Sequence, residues 1–478
     1  MSTAERSRWS ARLALMLAPW FVLVAITVAV VAFAPGGHYG LLLAVAPFVA
    51  AAVHGTHITA LVGAVTVALY SALRLWLPQE SGGDVGWIKV GLVVAASCSA
   101  VLISQARLRE RALHRSLDIA AALQSELLPA RTTGTSTVEV RHRYIPTDTE
   151  AGVGGDWFDV IPLSGARVAL TVGDVVGHGI EAASLMGRMR TVVRTLAELD
   201  LAPDELLARM DAAAARLAEH DDTRDLAASC LYLTYDPVSR QCAIASAGHP
   251  PPALRYPDGS VEFPELPEHP PLGVGETAFE TMTLTLDEGT VIALYTDGLL
   301  DLRRRRMDDA FALLAAALAD DVVPLDGLCR RVSENTVHDP TDDAALMIAR
   351  VAALPAQRVA TWNLSADAEA VGRARKEVAQ QLDAWDLADM AFTTELIVTE
   401  LTTNALVHAS APIGLRLIKD SSLICEISDA SHTSPHPRRA RALDEHGRGL
   451  DMVAQLSSQW GTRYTDSGKT VWAELLLT

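Results

Sequence analysis

The chain has 478 residues, a formal net charge of −18, and a composition in which 50% of the residues are hydrophobic. The length predicts about three domains, and the hydrophobic share predicts that part of the chain lies in a membrane. The acidic balance excludes nucleic acid as a partner, because a phosphate backbone needs a basic surface. The five cysteines form no Cys-x-x-Cys pair, which predicts buried core thiols and no zinc ribbon or redox motif.

The N-terminal region contains four apolar stretches, at 13–34, 39–53, 56–77 and 87–106. We interpret each as a membrane-crossing helix, although the second is short for a span that needs about 20 residues. Arginines precede the first stretch and follow the fourth, so the positive-inside rule places both ends in the cytoplasm. We predict a membrane region of about four helices at 1–106, a multi-pass protein of the cell membrane, and cytoplasmic catalytic domains. A signal peptide is the alternative for the N-terminus.

A helical linker is predicted at 107–134. Leu113, Leu117 and Leu127 recur among charged residues at helical spacing, and Pro129 ends the helix. Two interpretations stay open for its apolar face. It pairs with the same helix of a second copy in a homodimer, or it packs on the domain that follows.

The region 135–353 changes to short β-like runs separated by glycine turns, and four acidic motifs adjoin these runs. They are Gly154-Gly155-Asp156-Trp157-Phe158-Asp159, Gly173-Asp174-Val175-Val176-Gly177-His178-Gly179, Tyr295-Thr296-Asp297-Gly298 and Thr341-Asp342-Asp343. Mn²⁺ and Mg²⁺ prefer oxygen ligands, mostly carboxylates and water. Two such ions acidify a bridging water and clamp a phosphoryl group during in-line attack. One Asp-Gly pair is ordinary turn chemistry, but the four motifs together predict a two-metal phosphoryl-transfer site.

In this order the motifs resemble the SpoIIE/RsbU-type branch of the PPM (PP2C-like) serine/threonine phosphatases, over roughly residues 110–352. The resemblance implies an α/β/β/α sandwich with two Mn²⁺ or Mg²⁺ ions at one end. It implies that the catalytic metal ligands are Asp156, Asp174, Asp297, Asp342 and the Val175 carbonyl oxygen, with Asp174 bridging the ions. The usual substrate of this branch is a phosphorylated anti-anti-sigma (STAS) protein, which captures an anti-sigma factor once it is dephosphorylated.

Four further residues of this region have lesser or open roles. Asp159 and Asp343 would act through water or behind the ligands. His249, in a glycine-histidine turn that the family shares, would shape the site without binding metal. His178 either helps to protonate a leaving group or is a structural turn residue.

The region 354–478 forms a new unit. Glu400, Asn404 and His408 follow one another at intervals of four residues and so line one helix face. A carboxylate and an amide one turn apart suit a Mg²⁺-bound triphosphate. Downstream, Asp429 ends an apolar strand, and Gly447-Arg448-Gly449 opens a helix whose backbone N–H groups could meet phosphate.

These features resemble the two-layer α/β GHKL ATPase/kinase fold, in particular the RsbW-type anti-sigma serine kinases. The resemblance implies that Glu400 is a general base, Asn404 holds Mg²⁺, and Asp429 recognises the adenine amino group. Gly447 and Gly449 would lie in the ATP lid. The chain departs from the family at Asp429-Ala430-Ser431-His432-Thr433, where the family has glycines in a D-x-G-x-G pattern.

The sequence as a whole predicts a membrane-anchored, metal-dependent protein serine/threonine phosphatase with a kinase-like, ATP-binding C-terminal domain. Its predicted partners are a phosphorylated STAS protein, a sigma or anti-sigma factor, and the membrane. The alternative is a membrane sensor whose C-terminal domain captures a regulatory partner without phosphotransfer. A histidine kinase is disfavoured, because Arg115 and no acid follows His114 and a phosphatase-like region precedes the ATP-binding unit.

Overall fold

A computed structural model describes most of the chain. The described residues are 17–29, 31–32, 38–76, 83–127, 134–145, 154–177, 179–220, 227–275, 278–301, 306–319, 324–336, 343–367, 369–408, 412–432, 449–465 and 468–477. The chain divides into two compact units, Met1–Ile119 and Ala120–Thr478.

Apolar helices make up the N-terminal unit. They are α1 (Leu17–Ala29), a 3₁₀ turn (His38–Ala44), α2 (Val45–Val53), α3 (Thr56–Trp76) and α4 (Gly83–Leu127), the last of which runs on past the unit boundary. The predicted linker helix is the C-terminal part of α4, and Pro129 lies outside the described residues.

Two of these helices contain a segment long and apolar enough to cross a bilayer, Thr56–Leu73 and Ile88–Arg111. The apolar segments Leu17–Ala29 and Leu41–Val53 are shorter. At 1.5 Å per residue, a helix of this shorter length falls well below the roughly 30 Å of a hydrocarbon core. Among the described residues, the length criterion therefore supports two of the four predicted spans.

Two five-stranded antiparallel sheets form the centre of the second unit. The first has the order β1-β10-β9-β6-β7 and the second β2-β3-β4-β5-β8. The strands are β1 (Val138–Ile145), β2 (Trp157–Pro162), β3 (Val168–Val175), β4 (Ala228–Asp236), β5 (Gln241–Ala247), β6 (Ala253–Arg255), β7 (Val261–Glu262), β8 (Met282–Thr285), β9 (Val291–Tyr295) and β10 (Ala344–Val351).

Helices cover the outer face of each sheet. They are α5 (Ile180–Ala197) and α6 (Pro203–His220) on the second sheet, and α7 (Asp297–Leu300), α8 (Met307–Ala319) and α9 (Leu325–Thr336) on the first. Side chains alternate between the faces of a strand, so Phe158 and Val160 pack between the sheets while Trp157 and Ile161 pack under α5 and α6. The predicted α/β/β/α sandwich is therefore present.

The C-terminal region has one sheet with helices on one face, as predicted. Its order is β11-β12-β13-β15-β14, all antiparallel. The elements are β11 (Val359–Leu364), α10 (Ala370–Ala384), α11 (Ala391–His408), β12 (Ile413–Lys419), β13 (Ser422–Asp429), α12 (Gly449–Leu456), β14 (Gln459–Thr465) and β15 (Gly468–Leu476). Apolar side chains of the helices and of one sheet face form its core.

Four of the five cysteines are buried, as predicted, whereas Cys98 on α4 is exposed. Burial raises the pKa of the Cys230, Cys242 and Cys425 thiols to about 12. These three thiols are therefore protonated at neutral pH and serve as packing groups.

Candidate functional site

The β2–β3 hairpin brings two of the predicted aspartates to one end of the second sheet. Asp156 directly precedes β2, and Asp174 lies near the end of β3, where Trp157 pairs with Gly173. Gly155 packs so closely on this end that a β-carbon would collide with the Val175 carbonyl oxygen and lie 3.0 Å from Asp174 Oδ1. Only glycine permits this backbone approach.

Thr296 connects the third predicted aspartate to the hairpin. Thr296 is fully buried between β9 and α7, and α7 begins at Asp297. Its hydroxyl donates a hydrogen bond to Asp156 Oδ2 (2.7 Å) and accepts one from the Ala345 N–H (2.9 Å). The residue next to Asp297 therefore holds the carboxylate of Asp156 in place.

The fourth motif reaches the same region through Asp343. Asp342, the predicted ligand, lies outside the described residues. Asp343 is buried, and a β-carbon on Gly154 would collide with its carboxylate and lie 2.5 Å from the Tyr144 hydroxyl oxygen. Asp343, which the sequence analysis gave a lesser role, thus lies beside the Gly154-Gly155 turn.

The carboxylates repel one another. Burial, then the charge of Asp174, and to a lesser extent the charge of Asp343 raise the pKa of Asp156 well above its usual value, while the Thr296 hydrogen bond opposes this shift. A divalent cation between them would reverse this repulsion, and carboxylates with a backbone carbonyl are the hard oxygen donors that Mn²⁺ and Mg²⁺ prefer. Among the described residues, no three acidic, histidine or cysteine side chains already form a metal-binding group.

Asp159 has different partners from the other aspartates. It is fully buried on the helix side of β2, and its carboxylate accepts hydrogen bonds from Arg190 (3.0 Å) and Arg194 (2.5 and 2.9 Å), both on α5. One of its oxygens also accepts the Val160 N–H. Asp159 therefore anchors α5 to the sheet.

His249 holds a turn by backbone and side-chain contacts. Ser246 Oγ donates to the His249 carbonyl oxygen (2.8 Å), and the His249 N–H donates back to Ser246 Oγ (3.2 Å). Its Nδ1 lies 3.0 Å from the Pro250 carbonyl oxygen, and burial lowers the imidazole pKa to about 4. The ring is therefore neutral at physiological pH. His178 lies outside the described residues.

In the C-terminal domain, α11 carries Glu400 and Asn404 one turn apart, both half-buried, while His408 is exposed. Gly449, the first residue of α12, lies so close that a β-carbon would collide with the Glu400 carboxylate. This close approach fits the predicted phosphate end of a nucleotide site. Gly447 lies outside the described residues.

The predicted adenine acceptor already has a partner. Asp429 pairs in register with Lys469, and its Oδ1 lies 3.4 Å from Lys469 Nζ. The same oxygen accepts the Ser431 N–H (2.8 Å), and Lys469 also donates to the Ser431 hydroxyl. Both charged side chains are buried. Asp429 Oδ1 therefore already contacts Lys469 and the Ser431 N–H, whereas the resemblance to the family implies a carboxylate that accepts from the adenine amino group.

Comparison with known families decides the assignment of both domains. Residues 164–352 match the family described as Stage II sporulation protein E (SpoIIE), and residues 364–475 match the histidine kinase-like ATPase domain. The chain joins a SpoIIE-type PPM phosphatase domain to an RsbW-like ATPase domain. Both resemblances that the sequence motifs indicated are confirmed.

Two curated relatives match part of this chain, both from Bacillus subtilis strain 168. Phosphoserine phosphatase RsbP is 26% identical over 150 residues, which is 31% of this chain and 37% of RsbP. Phosphoserine phosphatase RsbU is 23% identical over 189 residues, which is 39% of this chain and 54% of RsbU. The chain thus spans about half or less of the length of these relatives.

A solved structure resembles both domains together. It contains the RsbU and RsbW domains of Rv1364c from Mycobacterium tuberculosis, with 25% sequence identity and a TM-score of 0.42. The match covers 72% of this chain and 94% of that one.

Sequence reasoning missed three contacts in the SpoIIE-type and RsbW-like domains. The motif Tyr295-Thr296-Asp297-Gly298 did not predict the bond from Thr296 to Asp156. A threonine at the end of a buried strand and next to a predicted metal ligand is nevertheless a pattern that could have indicated such a bond. The partners of Asp159 and Asp429 come from other elements, and no local pattern shows them.

Proposed function

We propose that the SpoIIE-type domain hydrolyses a phosphoserine or phosphothreonine of a partner protein, using two Mn²⁺ or Mg²⁺ ions. The observation that carries the proposal is the convergence of Asp156, Asp174 and the Val175 carbonyl at the end of one hairpin. Thr296, which precedes Asp297, bonds to Asp156 at this end. The proposed ligands are Asp156, Asp174, Val175, Asp297 and Asp342.

The chain's own residues prepare this site. Bound ions would supply an acidified water and neutralise the phosphoryl oxygens. Thr296 orients the Asp156 carboxylate, and the two glycines before Asp156 let the Asp343 carboxylate and the Val175 carbonyl oxygen approach the backbone closely. Burial and the charge of Asp174 raise the pKa of Asp156, and a bound cation would favour its ionised form.

The proposed substrate is a phosphorylated anti-anti-sigma (STAS) protein, with a sigma or anti-sigma factor as a further partner in a partner-switching pathway. Two facts support this class of substrate. The curated relatives are named phosphoserine phosphatases, and an RsbW-like domain follows in the same chain. Two apolar helices of sufficient length support the proposed membrane anchor, and we place the catalytic domains in the cytoplasm.

The test is phosphate release by the full-length chain, purified in detergent, from a phosphoserine STAS protein with Mn²⁺ or with EDTA. Asp174→Asn removes a proposed ligand, and Asp287→Asn is the matched control because Asp287 is an exposed aspartate. We expect release that EDTA and Asp174→Asn abolish and that Asp287→Asn preserves. Equal rates for the wild type and Asp174→Asn would contradict the proposal.

For the C-terminal domain we propose two functions in competition. A serine kinase would use Glu400 as general base and Asn404 for Mg²⁺. Capture of a regulatory protein without phosphotransfer is favoured by the Asp429–Lys469 pair, which occupies the acceptor for adenine. Incubation of the full chain with γ-labelled ATP and a STAS protein separates them. Label transfer that Glu400→Gln abolishes identifies the kinase, and binding of the STAS protein without transfer identifies the capture module.

A further inference from the structure

The sheet of the RsbW-like domain has a second buried face. Its helices cover the face that carries Leu415, Leu417 and Cys425, so the intervening side chains point to the opposite side. An antiparallel sheet of this kind commonly leaves that side to water. Here Ile418, at 0% exposure, and Glu426, at 2%, are buried on it.

A turn of the SpoIIE-type domain covers this face. The turn is the 3₁₀ segment Ser164–Ala166, which connects β2 to β3. Gly165 and Ala166 have φ angles of 69° and 62°, and a β-carbon on Gly165 would lie 2.7 Å from Glu426 Oε1. Ala166 and Val238 pack against Ile418 and its apolar neighbours at this contact.

A network of charges holds the turn on the sheet. Arg463 on β14 donates to Ser164 Oγ (3.1 Å) and to Glu426 Oε1 (3.3 Å), and one of its nitrogens lies 4.0 Å from Asp200 Oδ2. Asp200 in turn accepts hydrogen bonds from Ser164 and from Arg167. Arg463 is therefore the link between a carboxylate of one domain and a carboxylate of the other.

Burial gives this network its strength. The side chains of Arg463, Asp200 and Glu426 are 12%, 6% and 3% exposed, so water screens their attraction little. Glu426 also pairs with Arg416, and Asp200 with Arg167, so each carboxylate has an arginine of its own domain, and Arg463 contacts both carboxylates. Consistent with a fixed contact, residues 120–478 form one compact unit.

The β2–β3 hairpin, whose turn contacts the C-terminal sheet, also carries two aspartates of the proposed metal site. The turn lies at the Pro162–Val168 end of the β2–β3 register, and Asp156 and Asp174 lie at the other end. Strands of this length rise by roughly 20 Å. The RsbW-like domain therefore contacts the end of the hairpin that lies opposite the aspartates.

We propose that the sheet face opposite the helices of the RsbW-like domain, which carries Ile418 and Glu426, is a docking surface for the β2–β3 turn of the same chain. Through this surface the C-terminal domain fixes the hairpin that carries Asp156 and Asp174. The two domains then act as one body, and neither is a freely tethered module. This inference rests on contacts between the domains and does not depend on the proposed phosphatase activity.

Hydrogen–deuterium exchange of the full-length chain in detergent tests the docking. We expect Arg463→Ala, in the RsbW-like domain, to speed exchange of peptides that cover 160–170 by about tenfold, because the turn loses the Arg463 bond to Ser164 and the link between Asp200 and Glu426. Arg375→Ala is the matched control, because Arg375 is an exposed arginine with a carboxylate partner in the same domain. It should leave those peptides unchanged.

The reciprocal variant excludes simple unfolding of one domain. Asp200→Asn lies in the SpoIIE-type domain, and docking requires it to speed exchange in β13 and β14 as well. If Arg463→Ala unfolds its own domain, Glu426→Gln replaces it, because this variant keeps the side-chain volume. Its exchange rates are then compared with those of Asp200→Asn. Faster exchange confined to the mutated domain in both directions would overturn the proposal.

Discussion

Thr296→Val tests how the aspartate cluster is held, because it removes one hydroxyl and keeps the shape of the side chain. Valine loses the 2.7 Å bond to Asp156 and the acceptor for the Ala345 N–H. A hydrogen bond to a charged group contributes about 1.5–3 kcal/mol, and an unsatisfied buried donor costs about 1–3 kcal/mol. Because the two effects overlap, we expect the free energy of unfolding to fall by about 2–4 kcal/mol.

The same change should weaken metal binding. The Thr296 bond lowers the pKa of Asp156, so its loss raises that pKa further and makes Mn²⁺ compete with a proton. Loss of a group that orients a ligand typically costs 10- to 100-fold in metal affinity, and we expect roughly that range here. Thr296→Ser is the matched control, since it keeps the hydroxyl. Mn²⁺ titration calorimetry of fragment 120–478 compares the two, and equal affinities would refute this account of Thr296.

Three other changes give separate tests. Asp159→Asn should lower the free energy of unfolding by about 3 kcal/mol, because it leaves Arg190 and Arg194 without their buried carboxylate. The affinity for Mn²⁺ should not change. A parallel loss of Mn²⁺ affinity would make Asp159 part of the metal site. The pKa of His249 falls from 6.5 to about 4 on folding, so the unfolded chain protonates first, and stability present above pH 6.5 is lost as the pH falls towards 4. The shift in pKa corresponds to about 3 kcal/mol. In urea unfolding of fragment 120–478 between pH 4 and 7, the free energy of unfolding should depend less on pH for His249→Gln than for the wild type. An unchanged pH dependence would assign it to other groups. Lys469→Met should remove the cation that pairs with Asp429 and strengthen ATP binding by about tenfold, whereas Lys376→Met should not. Nucleotide titration measures both affinities, and affinity equal to the wild type would mean that Lys469 does not obstruct the base.

The sequence predicted the family and the sandwich because the relevant patterns are local. Each metal motif places an aspartate beside a glycine or at the end of an apolar run, and both features can be read within a few residues. The pairing of Asp429 with Lys469 could not be predicted in this way, because it depends on the register of β13 against β15.

The docking surface also escaped sequence reasoning, for a different reason. Arg416 and Glu426 each lie between two apolar residues, which is the pattern of a strand with one face in water. Only the packing of another domain shows that this polar face is buried. The membrane prediction of four spans relied on apolar composition alone, and helix length reduced its support to two segments.

Because both faces of the C-terminal sheet are buried, the solubility of that domain depends on its neighbour in the chain. In this chain, excision would uncover Ile418 and Ile424, which pack with Ala166 and Val238, and an exposed apolar patch of this kind favours self-association. The C-terminal domain should therefore be less soluble alone than when it is joined to the SpoIIE-type domain.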